Sequence, residues 1–427
     1  MIDIKNIRNN EDFVRKNLTK RNDKSLLEEF EKLISYDKLT LLRRREVDIL
    51  RNNVNTLARD IAKEISETNE KSKIESMMDE RKSLDVELNK IEGKFRTAEL
   101  LRNEILLKMP NLLQDEVPIG SSDKDNVEIR RFGIPNKKNV RSHGELIEEL
   151  ELADFEAARK STGAGFVFLK GNLARLDIAL QMFALENLHS KGYIPIQVPL
   201  MMNVESYEGV TDIKDFSSVM FRVSDDSNDV DKRLIATSEH PIVAMMQDKV
   251  IEPDKLPLKF VGVSPCFRKE IGSSGVDTRG LFRMHQFNKV EQVAFTTPES
   301  SNTMLEELIG NAEILFKELE IPYRTVAVCT GDIGTVASKK YDIEAWSPRQ
   351  NNWIEVVSGS NCTDYQSRRL NIKYGKRGGK TQLVHTLNCT AIATSRAMVA
   401  IIENNQENDK VIIPKVLRKY MGGIEFL

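Results

Sequence analysis

Apolar residues in the first part of the chain recur at alternating steps of three and four. From about residue 70 the series runs Ile74, Met77, Leu84, Leu88, Ile91, Phe95, Ala98 and Ile105, and its register also passes through Arg81 and Arg102, which interrupt the seam. An upstream series, Val47, Leu50, Val54, Leu57 and Ile61, has the same spacing. Such spacing draws a narrow stripe along a long helix, and two stripes of this kind pack as a coiled coil. Between them lies Ser66 to Ser72, with no apolar residue, a suitable tip for an antiparallel helical hairpin. With a helical rise of about 1.5 Å per residue, about 35 residues make an arm on the order of 50 Å long.

The pattern changes after Pro110, the first proline of the chain. Short apolar runs such as Lys259 to Val263 and Val290 to Phe295 alternate with helical patterns at Leu173 to His189 and Ala393 to Asn405. Gly and Pro mark the joints, and hairpin-like polar loops join the strand runs. The expected fold is therefore α+β: a helical arm on residues 1–110, then a domain on 111–427 built on an antiparallel β-sheet flanked by helices. The cluster Lys376-Arg377-Gly378-Gly379-Lys380 reads as a surface loop.

Composition narrows the class. Apolar residues make up 40% of 427 positions, enough for a sizeable core, and the formal net charge of −2 excludes a basic polyelectrolyte. Nucleic-acid binding would need a local patch. One is present in the first arm helix, where Lys38, Arg43, Arg44, Arg45, Arg51, Arg59 and Lys63 face Glu46, Asp48, Asp60 and Glu64. A basic helix on a protruding arm can follow a phosphate backbone; a helical spacer or dimerisation element fits the same composition. The four cysteines, Cys266, Cys329, Cys362 and Cys389, form no C-x-x-C pair, which suggests neither a disulfide framework nor a zinc ribbon. With no apolar leader and no span of roughly 20 apolar residues, a cytoplasmic protein without membrane association is expected.

The densest chemistry lies at Cys266-Phe267-Arg268-Lys269-Glu270 and, after a Gly-rich loop, Phe282-Arg283-Met284-His285-Gln286-Phe287-Asn288-Lys289-Val290-Glu291. Arg268, Arg279 and Arg283 bracket a loop holding Gly272, Gly275 and Gly280. Guanidinium forks match phosphate oxygens, and glycines let the backbone approach a ligand. The pattern is neither a Walker loop nor a G-x-G-x-x-G turn. Physical chemistry alone leaves two readings, an anionic-ligand site or a surface hairpin laced with salt bridges.

These residues resemble motif 2 of the class II aminoacyl-tRNA synthetases, and the run Asp277-Thr278-Arg279-Gly280-Leu281-Phe282-Arg283-Met284-His285-Gln286-Phe287 is similar to that of the seryl-tRNA synthetase family. The resemblance covers nearly the whole chain, from Met1-Ile2-Asp3-Ile4-Lys5 through the arm, Gly331 to Gly334 and Ser360 to Gln366, to Pro414-Lys415-Val416-Leu417-Arg418. It implies that Arg268 contacts the α-phosphate of ATP, that Lys269 and Glu270 lie by the nucleotide with Glu270 at the adenine, and that Phe287 stacks on the base. Arg283 and the backbone near Met284 would meet the triphosphate and base. Motif 3 is matched by Asn388 to Arg396, with Arg396 toward the γ-phosphate; Ala391, Ala393 and Ser395 stand where many class II enzymes have glycine. Arg268 and Arg396 would thus be the catalytic pair. The run Glu355-Val356-Val357-Ser358 is similar to the strand that contacts ATP and supplies metal ligands, with Glu355 and Ser358 toward a Mg²⁺ on the nucleotide.

By the same resemblance, L-serine would be held by Thr237-Ser238-Glu239, the family's T-x-E, with Arg268, Glu291, Asn388 and Thr390. Strand alternation would put Thr237 and Glu239 on one face. A site that hydrogen-bonds the substrate hydroxyl rejects alanine, because its polar groups would otherwise go unpaired. His285 is expected to position ATP rather than act as a base, and His240 and His385 to be structural. Pro195 to Met202 and Tyr207 to Asp212 are similar to motif 1, which implies a homodimer. The family also has a zinc-dependent form; the unpaired cysteines and the T-x-E run point to the ordinary form, with no zinc. The implied reaction forms seryl-adenylate from serine and ATP and passes the seryl group to tRNA-Ser, or to tRNA-Sec where present, with the arm on the long variable arm of the tRNA. The alternative is a synthetase-derived paralogue that loads a carrier protein or serves as a non-catalytic binding module.

Overall fold

The computed structural model describes the chain except for residues 69, 137–139, 212–217, 225–230, 271–279, 377 and 408. Asp212 of the motif 1 run, Gly272, Gly275 and Arg279 of the Gly-rich loop, Asn69 of the arm tip and Arg377 thus lie outside the described residues. The chain forms two compact units, one of residues 2–109 and one of Met1 with residues 110–427.

In the first unit, short helices α1 (Ile4–Asn9) and α2 (Glu11–Thr19) precede two long ones, α3 (Lys24–Glu67) and α4 (Lys71–Lys108). α3 has 44 residues, longer than the periodic series suggests. Its N-terminus is set by Asp23, whose carboxylate accepts the backbone N–H groups of Ser25 and Leu26 and satisfies donors that a helix start leaves open. At roughly 1.5 Å per residue the helix extends about 66 Å. The predicted seam is the packed one: Val47, Ile61, Ile74, Ala98 and Ile105 are buried, and Leu50, Val54, Leu57, Leu84, Leu88, Ile91 and Phe95 half-buried. Its two polar interruptions differ. Arg81 is exposed beside Asp85, whereas Arg102 turns inward, with a guanidinium nitrogen 3.7 Å from buried Asp37. Asp37 is also gripped by Arg8, through two bonds of 2.7 Å. Arg102 therefore contributes a cross-helix ion pair rather than a break.

The second unit is built on an eight-stranded sheet of β1 (Val127–Phe132), β2 (Ile194–Ile196), β3 (Leu258–Phe267), β4 (Gln286–Thr296), β5 (Tyr323–Ala327), β6 (Lys339–Ser347), β7 (Asn352–Asn361) and β8 (His385–Ala393). The order across the sheet is β1-β5-β6-β7-β8-β4-β3-β2. Every pairing is antiparallel except that of β2 with β3, which is parallel. Pro195 sits in β2, the terminal strand, where a missing N–H costs no ladder bond on the open side. The helices of this unit include α5 (His143–Glu149), α6 (Gly171–Ser190), α7 (Glu239–Ala244), α8 (Ser301–Glu318) and α9 (Thr394–Asn404). The core includes Leu176, Leu180 and Phe183 of α6, Leu305, Leu308 and Phe316 of α8, and Met398, Ile401 and Ile402 of α9, packed with Val290, Ile343, Val357 and Ile392 from the sheet. Lys376 and Gly378 to Lys380 join two three-residue strands. Among the described residues, no helix is long and apolar enough to cross a membrane.

Candidate active site

Strands β4, β6, β7 and β8, the segment after β3 and the starts of α7 and α9 surround a cavity of about 310 Å³. Alternation along β4 points Phe287, Lys289 and Glu291 into it. Arg268 and Glu270 follow the end of β3; Glu270 adopts a left-handed backbone (φ 45°), an unusual conformation for a residue with a side chain. Phe282 and Met284 enter from the segment before β4, Glu355, Val356 and Ser358 from β7, and Asn388 and Thr390 from β8. Arg396 enters from the first turn of α9.

Thirteen of the seventeen residues singled out in the sequence line this one cavity: Thr237, Glu239, Arg268, Glu270, Met284, Phe287, Glu291, Glu355, Val356, Ser358, Asn388, Thr390 and Arg396. Ser238, Lys269, Arg283 and Val357 do not. Ser238 is buried, with its hydroxyl on the Gly262 carbonyl, and Val357 lies in the hydrophobic core, set opposite Glu355 by a register shift between β6 and β7 that leaves Val356 as the extra residue. The Lys269 ammonium lies over Phe221, and exposed Arg283 stands 4.0 Å from Glu270. The strand expected at Thr237 to Glu239 is instead a turn into α7, in which the Glu239 N–H donates to Thr237 Oγ1 at 3.2 Å. The turn, rather than a pleat, puts both side chains in the cavity. His285 is a second departure. Its Nδ1 lies 2.9 Å from the Arg268 carbonyl and its ring packs between Phe166 and Phe221, so it holds the Arg268 backbone and does not line the cavity. His240 does line it, beside Tyr207, and burial with the charges of Lys289 and Arg268 lowers its pKa to about 3. His385, with Nδ1 3.0 Å from Ser301 Oγ, lies elsewhere.

Two charged residues escaped the sequence reading, Lys289 and Lys340. Lys289 lies two positions before Glu291 on the same strand face, and that spacing could have revealed it. Its ammonium is 2.7 Å from Glu291, and both side chains are buried. Glu291 also accepts from Thr390 Oγ1 at 3.2 Å across the β4–β8 pairing. Nearby Glu239 accepts from Gln366 at 2.9 Å. Burial, then the charge of Glu291, raises its carboxyl pKa to about 7, against the lowering influence of Gln366, Lys289 and Arg268. Glu355 behaves in the opposite way: burial pushes its carboxyl up, but Arg396, Lys340 and Arg268 outweigh that and hold it below the usual range. Arg396 anchors there, with Nη1 2.9 Å from the Glu355 carbonyl and 3.2 Å from its carboxylate, and its guanidinium 5.1 Å from the Phe282 ring. The Arg268 guanidinium lies 5.5 Å from the ring of Phe287, and its charge works to lower the pKa of both Glu239 and Glu355. Beneath Glu355, Lys340 is 3.2 Å from buried Asp342, whose pKa burial raises.

The cavity thus offers a fork of arginines with an ionised glutamate and a hydroxyl, suited to a polyphosphate and an oxygen-bound cation. It also offers acids with a threonine hydroxyl, suited to a small molecule with an ammonium and a hydroxyl. Among the described residues, no cluster of three His, Cys, Asp or Glu could hold a metal by itself.

Residues 1–113 match the seryl-tRNA synthetase N-terminal domain, and residues 221–405 the class II tRNA synthetase core domain (G, H, P, S and T). Curated relatives include serine--tRNA ligases of Methanocella arvoryzae, 48% identical, and Methanospirillum hungatei, 49% identical, each match covering 100% of both chains. A crystal structure of seryl-tRNA synthetase from Pyrococcus horikoshii complexed with ATP superposes with a TM-score of 0.94 at 40% identity, covering 100% of this chain and 99% of that one. The cytoplasmic serine-tRNA ligase of Naegleria fowleri in complex with AMP gives 0.86 at 33% identity, covering 98% and 95%. On sequence and fold along its full length, the chain belongs to the serine--tRNA ligase family, with a class II synthetase core.

Proposed function

We propose that the chain is a serine--tRNA ligase, which activates L-serine with ATP and transfers the seryl group to the 3′ end of tRNA-Ser. The observation that carries this reading is that Arg268 lines one cavity with both Glu239 and Glu355. In activation the serine carboxylate attacks the α-phosphorus of ATP and pyrophosphate leaves, so the reacting phosphorus must lie between the amino acid and the departing phosphates. Arg268 is placed to stabilise charge there, which a preorganised guanidinium does without reorganisation. Arg396 holds the outer phosphates, and Phe287 and Glu270 take the adenine, with Met284, Val356 and the backbones of Lys269 and Val357 framing it. Arg283 closes over the triphosphate from the exposed side.

On the amino-acid side, Glu239 and Glu291 bind the serine ammonium, and Thr237, Asn388 and Thr390 surround its hydroxyl, with Ser238 supporting the turn that carries its neighbours. A hydroxyl-matched site disfavours alanine by leaving polar groups unpaired. Magnesium fits Glu355 and Ser358: the donors are oxygens, and Oδ1 of buried Asp342, opposite Ser358 in the sheet, has no hydrogen-bond partner among the described residues. With so few protein ligands, the ion would be shared with ATP phosphates and water, where it neutralises phosphate charge. The arm formed by α3 and α4 binds the long variable arm of tRNA-Ser, and the enzyme works as a homodimer. Full-length similarity to serine--tRNA ligases, with the N-terminal domain, favours this reading over a carrier-loading or non-catalytic paralogue.

The test is serine-dependent ATP–pyrophosphate exchange run beside tRNA charging. Wild-type protein should do both, and Arg268→Ala should abolish exchange. No exchange by the wild type refutes activation; exchange without charging of tRNA-Ser refutes the transfer half.

A further inference from the structure

A buried relay outside the cavity ends on the segment that supplies Phe282 and Met284. His143, at the start of α5, is fully buried. Its Nδ1 lies 2.9 Å from Glu403 Oε1, and its Nε2 accepts the backbone N–H of Leu281 at 3.2 Å. Glu403 also accepts from Ser347 Oγ at 2.5 Å and from Arg349 Nε at 3.1 Å. Burial pushes the Glu403 carboxyl up, but the bonds from His143, Ser347 and Arg349 outweigh it and hold the pKa down. The carboxylate on one side and the amide donor on the other fix the roles of the two ring nitrogens of His143, Nδ1 donating to Glu403 and Nε2 accepting from Leu281.

Two further observations tie this relay to the site. Gly280 has φ 134°, and a Cβ there would come within 2.2 Å of His143 Nε2, so the approach of the backbone to the imidazole demands glycine. Glu403 and Arg396 lie seven residues apart on α9, about two helical turns, hence on one side of one helix. Arg396 in turn packs on Phe282, the residue after Leu281. The loop exit and the helix are therefore joined twice, through Phe282 and Arg396 within the cavity and through Leu281, His143 and Glu403 behind it.

We propose that His143 is a positioning residue for the nucleotide side of the cavity: by bridging Glu403 to the Leu281 amide it sets Phe282 against Arg396. The proposal rests on the reading of the cavity as an ATP site. It predicts that losing the acceptor at Nε2 weakens ATP use and spares serine use, because the serine-facing residues hang on other elements.

Two variants separate the links. His143→Asn keeps a donor toward Glu403 but cannot reach Leu281; His143→Gln retains an acceptor at the distance of Nε2. In serine-dependent ATP–pyrophosphate exchange with the full-length protein, His143→Asn should raise the KM for ATP about tenfold with the KM for serine within about twofold, while His143→Gln stays within about threefold of wild type for both. Unchanged ATP KM in His143→Asn, or equal losses in both variants that follow their melting temperatures, overturns the proposal. If His143→Asn does not fold, Gly280→Ala serves in its place, with the same expected and contrary results. Should the wild type show no exchange, the ATP reading falls separately, and amide hydrogen exchange decides the relay. Leu281 N–H slow in the wild type and in His143→Gln but fast in His143→Asn upholds it; an amide insensitive to these changes overturns it.

Discussion

The Lys289 ammonium stands 2.7 Å from the Glu291 carboxylate, with both side chains buried on one face of β4. Removing the cation alone leaves a buried charge with too little compensation. Lys289→Met should therefore destabilise the protein by about 3 kcal/mol in urea unfolding at pH 8. A variant as stable as the wild type would show that the pair is energetically idle.

Glu239 carries the second acid of this group, with its pKa raised to about 7 by burial and by Glu291. The folded empty site thus binds a proton more tightly than the unfolded chain does. This contribution favours the folded state below the ordinary carboxyl range and is lost as pH rises through about 7. Serine brings an ammonium, which favours ionised Glu239. The serine KM should fall as pH rises from about 6 to about 8, and calorimetry in buffers of different ionisation enthalpy should detect proton release on binding. Glu239→Gln should raise the serine KM and flatten its pH dependence. Serine binding with no proton release near pH 6.5 would contradict the assignment.

Arg396 contacts Glu355 through both backbone and carboxylate and lies on the Phe282 ring. Lysine keeps the charge but neither the planar fork nor the stacking. Exchange by Arg396→Lys should fall about a hundredfold, with stability close to wild type. Near-normal exchange would reduce Arg396 to a point charge.

The arm offers a test that separates the two half-reactions. Asp37 and Arg102 approach within 3.7 Å, so residues 38–100 can be replaced by a short flexible linker near the base of the hairpin. The shortened protein should retain serine-dependent exchange and lose charging of tRNA-Ser. Charging that survives the deletion would remove the tRNA-binding role from the arm.

Much of this architecture is readable because local patterns report which face of an element is buried. The three-four spacing of Val47 to Ile61 and of Ile74 to Ile105 marks the seam that α3 and α4 use, and the runs at 259–263 and 290–295 fall inside β3 and β4. The motif strings around Arg268, Glu355 and Arg396, together with the Thr237 to Glu239 run, supplied thirteen of the residues that line the cavity. The helical start of α3 at Asp23 is not visible in the spacing, because its first turns are held by polar capping and by burial of Phe30, Leu33 and Ile34, of which only Leu33 continues the register of Val47, reached through the polar Thr40.

By itself, then, the sequence determined the helical hairpin, the α+β class and the family. Periodicity and contiguous motifs are properties of neighbouring residues, and neighbours in the chain are all they need. Only the tertiary structure decided which charges compensate one another. Lys289 is defined by Glu291, Arg102 by Asp37, and His143 by Glu403 and a Leu281 amide 138 residues along the chain. It also turned Thr237 and Glu239 into the cavity through a turn into a helix rather than a strand, and set His285 on the Arg268 carbonyl, off the cavity lining, where the sequence reading expected it to position ATP. Electrostatic and hydrogen-bond partnership depends on distance and burial in three dimensions, and linear spacing carries neither.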